Sequence, residues 1–155
     1  MAKVVIHQKV KAPLSVVWPI WDDYGNIDRF HPGLSSSHLV EDETLKTGMG
    51  SKRQCNLDDG KNWIQEEIIE YVPKKKIVID AYAGTMPLKK AIASFEFMPV
   101  GARETEIVFH MDFEPKMGLL GKLMIPMMKM KFKNMMGNVL KASASYAEKQ
   151  AIVSH

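Results

Sequence analysis

Arg53 and Glu66 are the two residues of this sequence whose types and spacing best fit a chemical role. An arginine and a carboxylate on neighbouring strands lie about 5 Å apart at their Cβ atoms and form a strong ion pair of defined geometry. In a ligand cavity such a pair orients a polar group, and the carboxylate can act as a general acid or base. The structural alternative is a buried salt bridge that fixes strand register, and the two roles are compatible.

The pairing depends on the turn between the two strands. Two strand-forming runs flank Asp58-Asp59-Gly60, which is a strong hairpin signal. A two-residue or a four-residue loop places Arg53 opposite Glu66. A three-residue loop instead places Arg53 opposite Gln65, which leaves Glu67 as a weaker alternative partner.

The apolar phase of the first hairpin strand predicts that Arg53 points inward. Its odd positions are Met49, Ser51, Arg53, Cys55 and Leu57, and these form the more apolar face. An unpaired cation in the interior is costly, so Arg53 needs a partner there. Cys55 shares this phase, and we interpret it as a small buried residue.

Four other residues are candidates for contact with a ligand. His31, beside the turn Pro32-Gly33, and Tyr82 are the polar groups that could assist Glu66 in proton transfer. Trp63, just after the hairpin turn, and Met86, between two predicted strands, are candidates for an entrance.

Several classes of site are not indicated. One cysteine excludes a disulfide framework, and the five histidines (7, 31, 38, 110 and 155) lack metal-ligand spacing. We therefore expect no metal and no cofactor. A net charge of +3 does not suggest nucleic acid. The N-terminal segment lacks an apolar signal core, so we expect a cytoplasmic protein.

The elements that must position these residues form one α+β domain over residues 1–155. The pattern predicts one strand, two short helices, further strands and a long C-terminal helix, that is, an antiparallel sheet of six or seven strands with one buried face. The predicted strands are 4–10, 37–41, 51–57, 62–71, 76–82, 88–98 and 105–113. Phe95, on the sixth of them, is a further candidate for the ligand site.

The C-terminal helix is predicted to cover this sheet. Its apolar stripe runs through Met124, Met128, Met135, Val139, Ala142 and Tyr146, flanked by Ile125 and Phe132, and Pro126 starts or kinks it. Six of the twelve methionines lie between positions 124 and 136. Methionine adapts to irregular surroundings, so Met124, Met128, Phe132 and Met135 suit a cavity wall, and plain packing of the helix on the sheet is the alternative. No apolar run approaches the ~20 residues of a membrane span.

Positive charge is concentrated in the same region. From residue 116 onward there are seven lysines and one acidic residue, Glu148. A basic amphipathic helix can lie weakly on an anionic membrane. Because the apolar stripe is needed to cover the sheet, insertion would require the helix to swing out, and a solvated lysine face is the favoured interpretation.

The segments APLSVVW, GMGSKRQCNLDDG, WIQEEIIEYVP and YAGTMPLKKAIASFEFMPVGARETEIVFHMDFEP, followed by the amphipathic helix, resemble the START-like, Bet v 1-like superfamily. This group is also called the polyketide cyclase/dehydrase and lipid transport family. The similarity is greatest to the branch of the abscisic acid receptors and the lachrymatory factor synthase. The gate and latch motifs of those receptors are absent here, where the chain reads LDDGKNW and GTMPLKK.

The resemblance implies a helix-grip fold with a large apolar cavity, into which Arg53 and Glu66 point. The expected partner is a small hydrophobic molecule such as a lipid, a polyketide or an isoprenoid-like metabolite. Binding or transport is the first hypothesis. A cyclase, dehydratase or isomerase that uses Glu66 with Arg53 is the second, and a lipid-transfer accessory protein that docks on anionic membranes is the third.

Overall fold

The computed structural model describes residues 1–40 and 45–153. Glu41, predicted as the end of a strand, and His155 lie outside the described residues. The strands are β1 (Ala2–Val10), β2 (Leu34–Leu39), β3 (Lys52–Leu57), β4 (Trp63–Val72), β5 (Lys76–Gly84), β6 (Leu88–Gly101) and β7 (Glu104–Pro115). The helices are α1 (Leu14–Asp22), a 3-10 helix (Tyr24–Arg29), α2 (Gly118–Leu123) and α3 (Ile125–Val153).

The strands form one seven-stranded antiparallel sheet in the order β1-β7-β6-β5-β4-β3-β2. Consecutive strands from β2 to β7 are neighbours, as successive elements of a chain usually are, and β1 closes the far side against β7. The sheet curves around α3, with α1 and the 3-10 helix between its two ends. The predicted α+β helix-grip fold is therefore confirmed.

Besides shifts of one to three residues at several strand ends, the elements differ from the sequence prediction in three respects. β2 begins at Leu34, not at residue 37, because the serine-rich run pairs with β3 through its backbone, and a search for apolar alternation overlooks its polar side chains. Met49 is exposed and precedes β3, so the inward phase of that strand starts only at Ser51. A separate short helix, α2, precedes α3 and was not predicted.

Helix α3 begins where proline permits. Pro126 is its second residue, and the missing N–H of a proline costs nothing in the first turn of a helix. Pro126 therefore starts α3 and does not kink it. The C-terminal half of the helix is closely packed, with Leu140 fully buried and Ser143, Ala144 and Ala147 nearly so. These small side chains let the helix axis approach β1 and α1.

Aromatic side chains fill the core beneath α1. Trp18 meets Phe97 edge to face at 5.2 Å between ring centroids, and Trp21 lies 4.7 Å from Phe95. Phe95 in turn contacts Phe109 at 5.1 Å. Pairs at such distances stabilise beyond their buried area by about 0.5–1.5 kcal/mol each. Trp21, Phe95 and Phe109 of this cluster also border an interior cavity between the sheet and α3.

Candidate ligand-binding site

A partly open cavity of about 130 Å³ lies between the sheet and α3. Its walls are mostly apolar, and the charged side chains on them are Arg53 and Glu66. Small inward residues of β5 and β6 create part of the space, because Ala81, Ala91 and Ala93 stand where larger side chains would meet α3. Apolar walls with few convergent polar groups are typical of a small-molecule site, and the volume is below the ~300–1,000 Å³ of most ligand pockets.

The hairpin of β3 and β4 positions the charged pair. A four-residue turn, 58–61, connects the strands, and Asp59 caps it by accepting the N–H groups of Lys61 and Asn62. The resulting register places Arg53 opposite Glu66 and Lys52 opposite Glu67. Since neighbouring residues of a strand point to opposite faces, Glu66 reaches the cavity and Glu67 does not.

Arg53 is held on several sides. Its Nε donates to Glu66 Oε1 at 3.0 Å, and its Nη1 donates to the backbone carbonyl of Tyr24 at 3.2 Å. The guanidinium also lies 4.1 Å from the centroid of the Tyr24 ring, within the range of a cation–π contact. Only 4% of the Arg53 side chain is exposed. Burial alone would lower the pKa of Arg53, but the Glu66 carboxylate and Tyr24 raise it, so Arg53 stays charged.

Glu66 is more accessible from the cavity, with 18% of its side chain exposed. Its Oε1 accepts from Arg53 and also from the Cys55 thiol, at 3.6 Å. Within the described residues no hydrogen bond to Oε2 occurs, which leaves that oxygen for a ligand. Burial raises the pKa of the Cys55 thiol to about 12, so Cys55 is protonated and acts as a donor.

Tyr24 anchors the pair to the 3-10 helix. Its hydroxyl donates to the backbone carbonyl of Glu66 at 3.0 Å, while its own carbonyl accepts from Arg53. Burial raises the pKa of Tyr24 above its usual range, so the hydroxyl remains a donor. Tyr24 was not predicted from the sequence, because nothing in its local pattern shows that a short helix reaches the β3–β4 hairpin.

His31 supplies another polar group on the cavity wall. Its Nδ1 accepts the backbone N–H of Gly33 at 3.0 Å, so the neutral ring carries its proton on Nε2. Burial lowers the pKa of His31 to about 4, against a smaller upward effect of Glu66. His31 is therefore uncharged at neutral pH and offers an N–H donor.

The helix wall consists of Phe132, Met135, Met136 and Val139. Phe132 and Met135 were predicted to line the cavity, and Met136 was not, because it lies beside the stripe used for the prediction. The cavity is lined by two adjacent rows of side chains on α3, whereas the prediction used only one row. Met86 and Phe95, also predicted, line the sheet side.

Four predicted site residues lie outside the cavity. Trp63 precedes the lining residue Ile64, and Tyr82 follows the lining residue Ala81. Since neighbouring residues of a strand point to opposite faces, Trp63 and Tyr82 point to the other face of the sheet. Tyr82 is 41% exposed, with the Lys52 ammonium 5.7 Å from its ring centroid.

Met124 and Met128 are displaced for a different reason. They belong to the start of α3, beyond the end of the cavity: Met124 is exposed, and Met128 is buried in the core. The predicted stripe was thus extended too far toward the N-terminus of the helix.

Neither a metal cluster nor a membrane span is found among residues 1–40 and 45–153. No three His, Cys, Asp or Glu side chains in this part of the chain are grouped so that they could hold a metal ion. No helix there combines the length and apolar character needed to cross a bilayer.

These features define a helix-grip protein with a mainly apolar cavity and a charged pair on its sheet wall. The family model described as polyketide cyclase / dehydrase and lipid transport matches residues 1–148, so the chain belongs to this family. The family and the fold indicate hydrophobic ligand binding or activity of the polyketide cyclase/dehydrase kind. No curated protein sequence matches the chain.

Solved structures share the fold at low sequence identity. The ZhuI aromatase/cyclase from Streptomyces sp. R1128 superimposes with a TM-score of 0.81 at 15% identity, covering 96% of this chain and 94% of that one. A protein of Thermus thermophilus gives 0.78 at 16% identity, covering 97% and 99%. A START superfamily protein from Mycobacterium smegmatis gives 0.70 at 15% identity, covering 99% of both chains.

Proposed function

We propose that this protein binds a small, largely apolar molecule that carries one polar group, with the polar group at Arg53 and Glu66. The observation that carries the proposal is a charged pair on the wall of an otherwise apolar cavity. A buried pair needed only for strand register would be fully enclosed, whereas Glu66 keeps an oxygen open to the cavity. A ligand hydroxyl can donate to Oε2 of Glu66, and the His31 N–H can donate to a carbonyl.

The walls suggest what the rest of the ligand is like. Phe95 and Phe132 provide aromatic surfaces, and Met135 and Met136 provide adaptable ones. Such walls favour a flat or flexible hydrocarbon body. The supported ligand class is therefore an aromatic, polyketide-like or isoprenoid-like molecule bearing a hydroxyl or carbonyl group.

Native mass spectrometry of gently purified protein tests this proposal. We expect the wild type to carry a small molecule, or to bind an added neutral fluorescent probe with one hydroxyl group, such as 2-naphthol. Glu66→Gln keeps the shape of the side chain but loses the charge, and should weaken binding at least tenfold, since hydrogen bonds to charged groups contribute about 1.5–3 kcal/mol.

Glu67→Gln is the matched control, because Glu67 is the next residue of β4 and faces away from the cavity. This variant should bind like the wild type. A wild-type protein that is empty and binds no apolar probe would refute the proposal. Equal losses in Glu66→Gln and Glu67→Gln would refute the role of Glu66.

One observation favours a second candidate, a dehydratase or cyclase. His31 and Glu66 line the same cavity, and the two side chains are close enough for the carboxylate to affect the pKa of the imidazole. In a β-hydroxy ketone, the His31 N–H would bind the carbonyl oxygen while Glu66 takes the α-proton. Glu66 would then return this proton to the departing hydroxyl, which leaves as water.

Incubation with β-hydroxy ketones tests the second candidate by the loss of one water from the substrate mass. Turnover should vanish in Glu66→Gln and persist in Glu67→Gln. Binding without turnover in the wild type would exclude this candidate and leave the binding proposal standing.

A further inference from the structure

An exposed apolar surface lies outside the cavity, on α2 and the first turns of α3. Large apolar side chains point to solvent here. Leu119 and Leu123 are 80% and 79% exposed, and Leu120, Met127 and Met130 are also exposed. We call these five residues the apolar patch. Contiguous exposed apolar surface rimmed by polar residues marks an interaction site.

The backbone of α2 is docked firmly, so this exposure is built into the fold. Gly121 is its buried residue, and a Cβ atom there would lie 2.1 Å from the carbonyl oxygen of Lys116. The Lys116 N–H also donates to the Pro87 carbonyl at 3.1 Å. Because Gly121 lies against Pro115 and Lys116 at the end of β7, the opposite side of α2, with Leu119 and Leu123, faces solvent.

In sequence, the charged residues around the apolar patch are all lysines. Between Glu114 and Glu148 the sequence contains six lysines and no acidic residue. Lys89, Lys116, Lys122 and Lys129 line one surface groove beside α2. Glu114 is the acidic side chain in that groove, 3.9 Å from the ammonium of Lys89.

We propose that this surface docks on an anionic lipid membrane, with the apolar patch in the acyl boundary and the lysines at the phosphate level. Leucine and methionine beside lysine are the combination that binds anionic interfaces. Each lysine near such a surface contributes about a fivefold gain in affinity. Docking leaves α3 on the sheet, because the patch is separate from the stripe that covers the cavity.

A second copy of the chain fits this surface poorly. Self-association through the patch brings the lysines of both copies together, and like charges across an interface are costly. A membrane carries the complementary charge. The surface also adjoins the cavity, because Lys116 is bonded to Pro87, between the lining residues Met86 and Leu88.

Vesicle co-sedimentation tests the docking surface without reference to any cavity ligand. Vesicles of phosphatidylglycerol and phosphatidylcholine in equal parts should pellet the full-length protein at about 0.02 M salt, and much less at about 0.5 M. Pure phosphatidylcholine should pellet little. Leu119→Ser/Leu123→Ser should lower the affinity more than tenfold, and Lys122→Gln/Lys129→Gln about twentyfold.

Matched controls come from the far end of α3. Ile152→Ser/Val153→Ser removes two equally exposed apolar side chains, and Lys141→Gln/Lys149→Gln removes two exposed lysines of the same helix. Both should bind like the wild type. Circular dichroism checks that each variant is folded.

Three results would overturn the proposal. The first is no pelleting of the wild type by the anionic vesicles at low salt. The second is an equal loss of binding in the control variants. The third is a wild-type dimer in sedimentation velocity that Leu119→Ser/Leu123→Ser converts to a monomer, because the occupant would then be a second copy.

Discussion

The sheet wall of the cavity is held by charge and hydrogen bonds, whereas the helix wall facing it consists of flexible apolar side chains. Arg53 makes contacts with Glu66 and with both the carbonyl and the ring of Tyr24, which together fix its orientation. Met135 and Met136 make no such directional contacts and can change rotamer as their surroundings change. A fixed polar anchor opposite an adaptable apolar wall can orient one end of a ligand while tolerating variation in the rest.

Because the sheet wall is held by a buried ion pair and the helix wall is not, we expect the largest loss of stability when that ion pair is removed. Arg53→Met leaves the Glu66 carboxylate without its cation and should lower the free energy of unfolding by about 3–5 kcal/mol. Urea denaturation measures this loss. In the double variant Arg53→Met/Glu66→Leu no charge is stranded, so much of the stability should return.

The surface pair Lys76–Glu70 is the matched control for this prediction. Its atoms are 3.2 Å apart, but the side chains are 33% and 52% exposed. Lys76→Met should therefore cost less than about 1 kcal/mol. Equal losses in Arg53→Met and Lys76→Met would mean that the sheet wall is not held by its buried pair.

The second prediction compares two residues of α3. Leu140 is fully buried in the close-packed half of the helix, and Leu140→Ala should cost about 3 kcal/mol in unfolding free energy. Met135→Ala should cost only about 1 kcal/mol, because its side chain already borders open space and loses fewer contacts. Thermal and urea unfolding of both variants measure the difference. Similar losses would show that the methionine wall is packed as tightly as the core.

The third prediction concerns His31 and pH. Its pKa is about 4 in the folded protein and near 6.5 when unfolded, so the unfolded chain binds a proton first as the pH falls. The resulting contribution to stability is fully present above pH 6.5 and is lost as the pH falls toward 4. We expect this loss to be about 2 kcal/mol between those values.

His31→Gln should remove this part of the pH dependence, as measured by urea unfolding at several pH values. His38→Gln, at an exposed position of β2, should leave it unchanged. A wild type and a His31→Gln variant with the same pH profile would show that the imidazole is not held neutral at the cavity wall.

The sequence predicted the strand register and the ion pair better than the cavity beside them. The turn Asp58-Asp59-Gly60 limited the register to two choices, and the apolar phase of β3 placed Arg53 inside, so Glu66 was the favoured partner and Glu67 the alternative until the structure decided. The helix-grip architecture followed from counting strands and one long amphipathic helix, together with the family resemblance.

The cavity was harder to predict, because it arises where inward side chains are small and leave space, and small side chains give only a weak sequence signal. Ala81, Ala91 and Ala93 make room between the sheet and α3. The segment Ala91-Ile92-Ala93, with two alanines in the inward phase, carried this signal. Trp63 and Tyr82 were misplaced by a single strand position, and the contribution of Tyr24 depends on a tertiary contact that no local pattern encodes.

A small change in stability is predicted when the adaptable side chains of the helix wall are exchanged for stiffer ones of similar volume. Met135→Leu/Met136→Leu should alter the free energy of unfolding by less than about 1.5 kcal/mol, because volume-conserving exchanges are well tolerated. The branched side chains have fewer rotamers, so the wall should accept a narrower range of ligand shapes. Titration with a series of apolar probes, from flat aromatic to flexible aliphatic, measures this range. Unchanged affinity across the whole series would mean that the methionines do not provide the adaptability, and that the two walls differ only in charge.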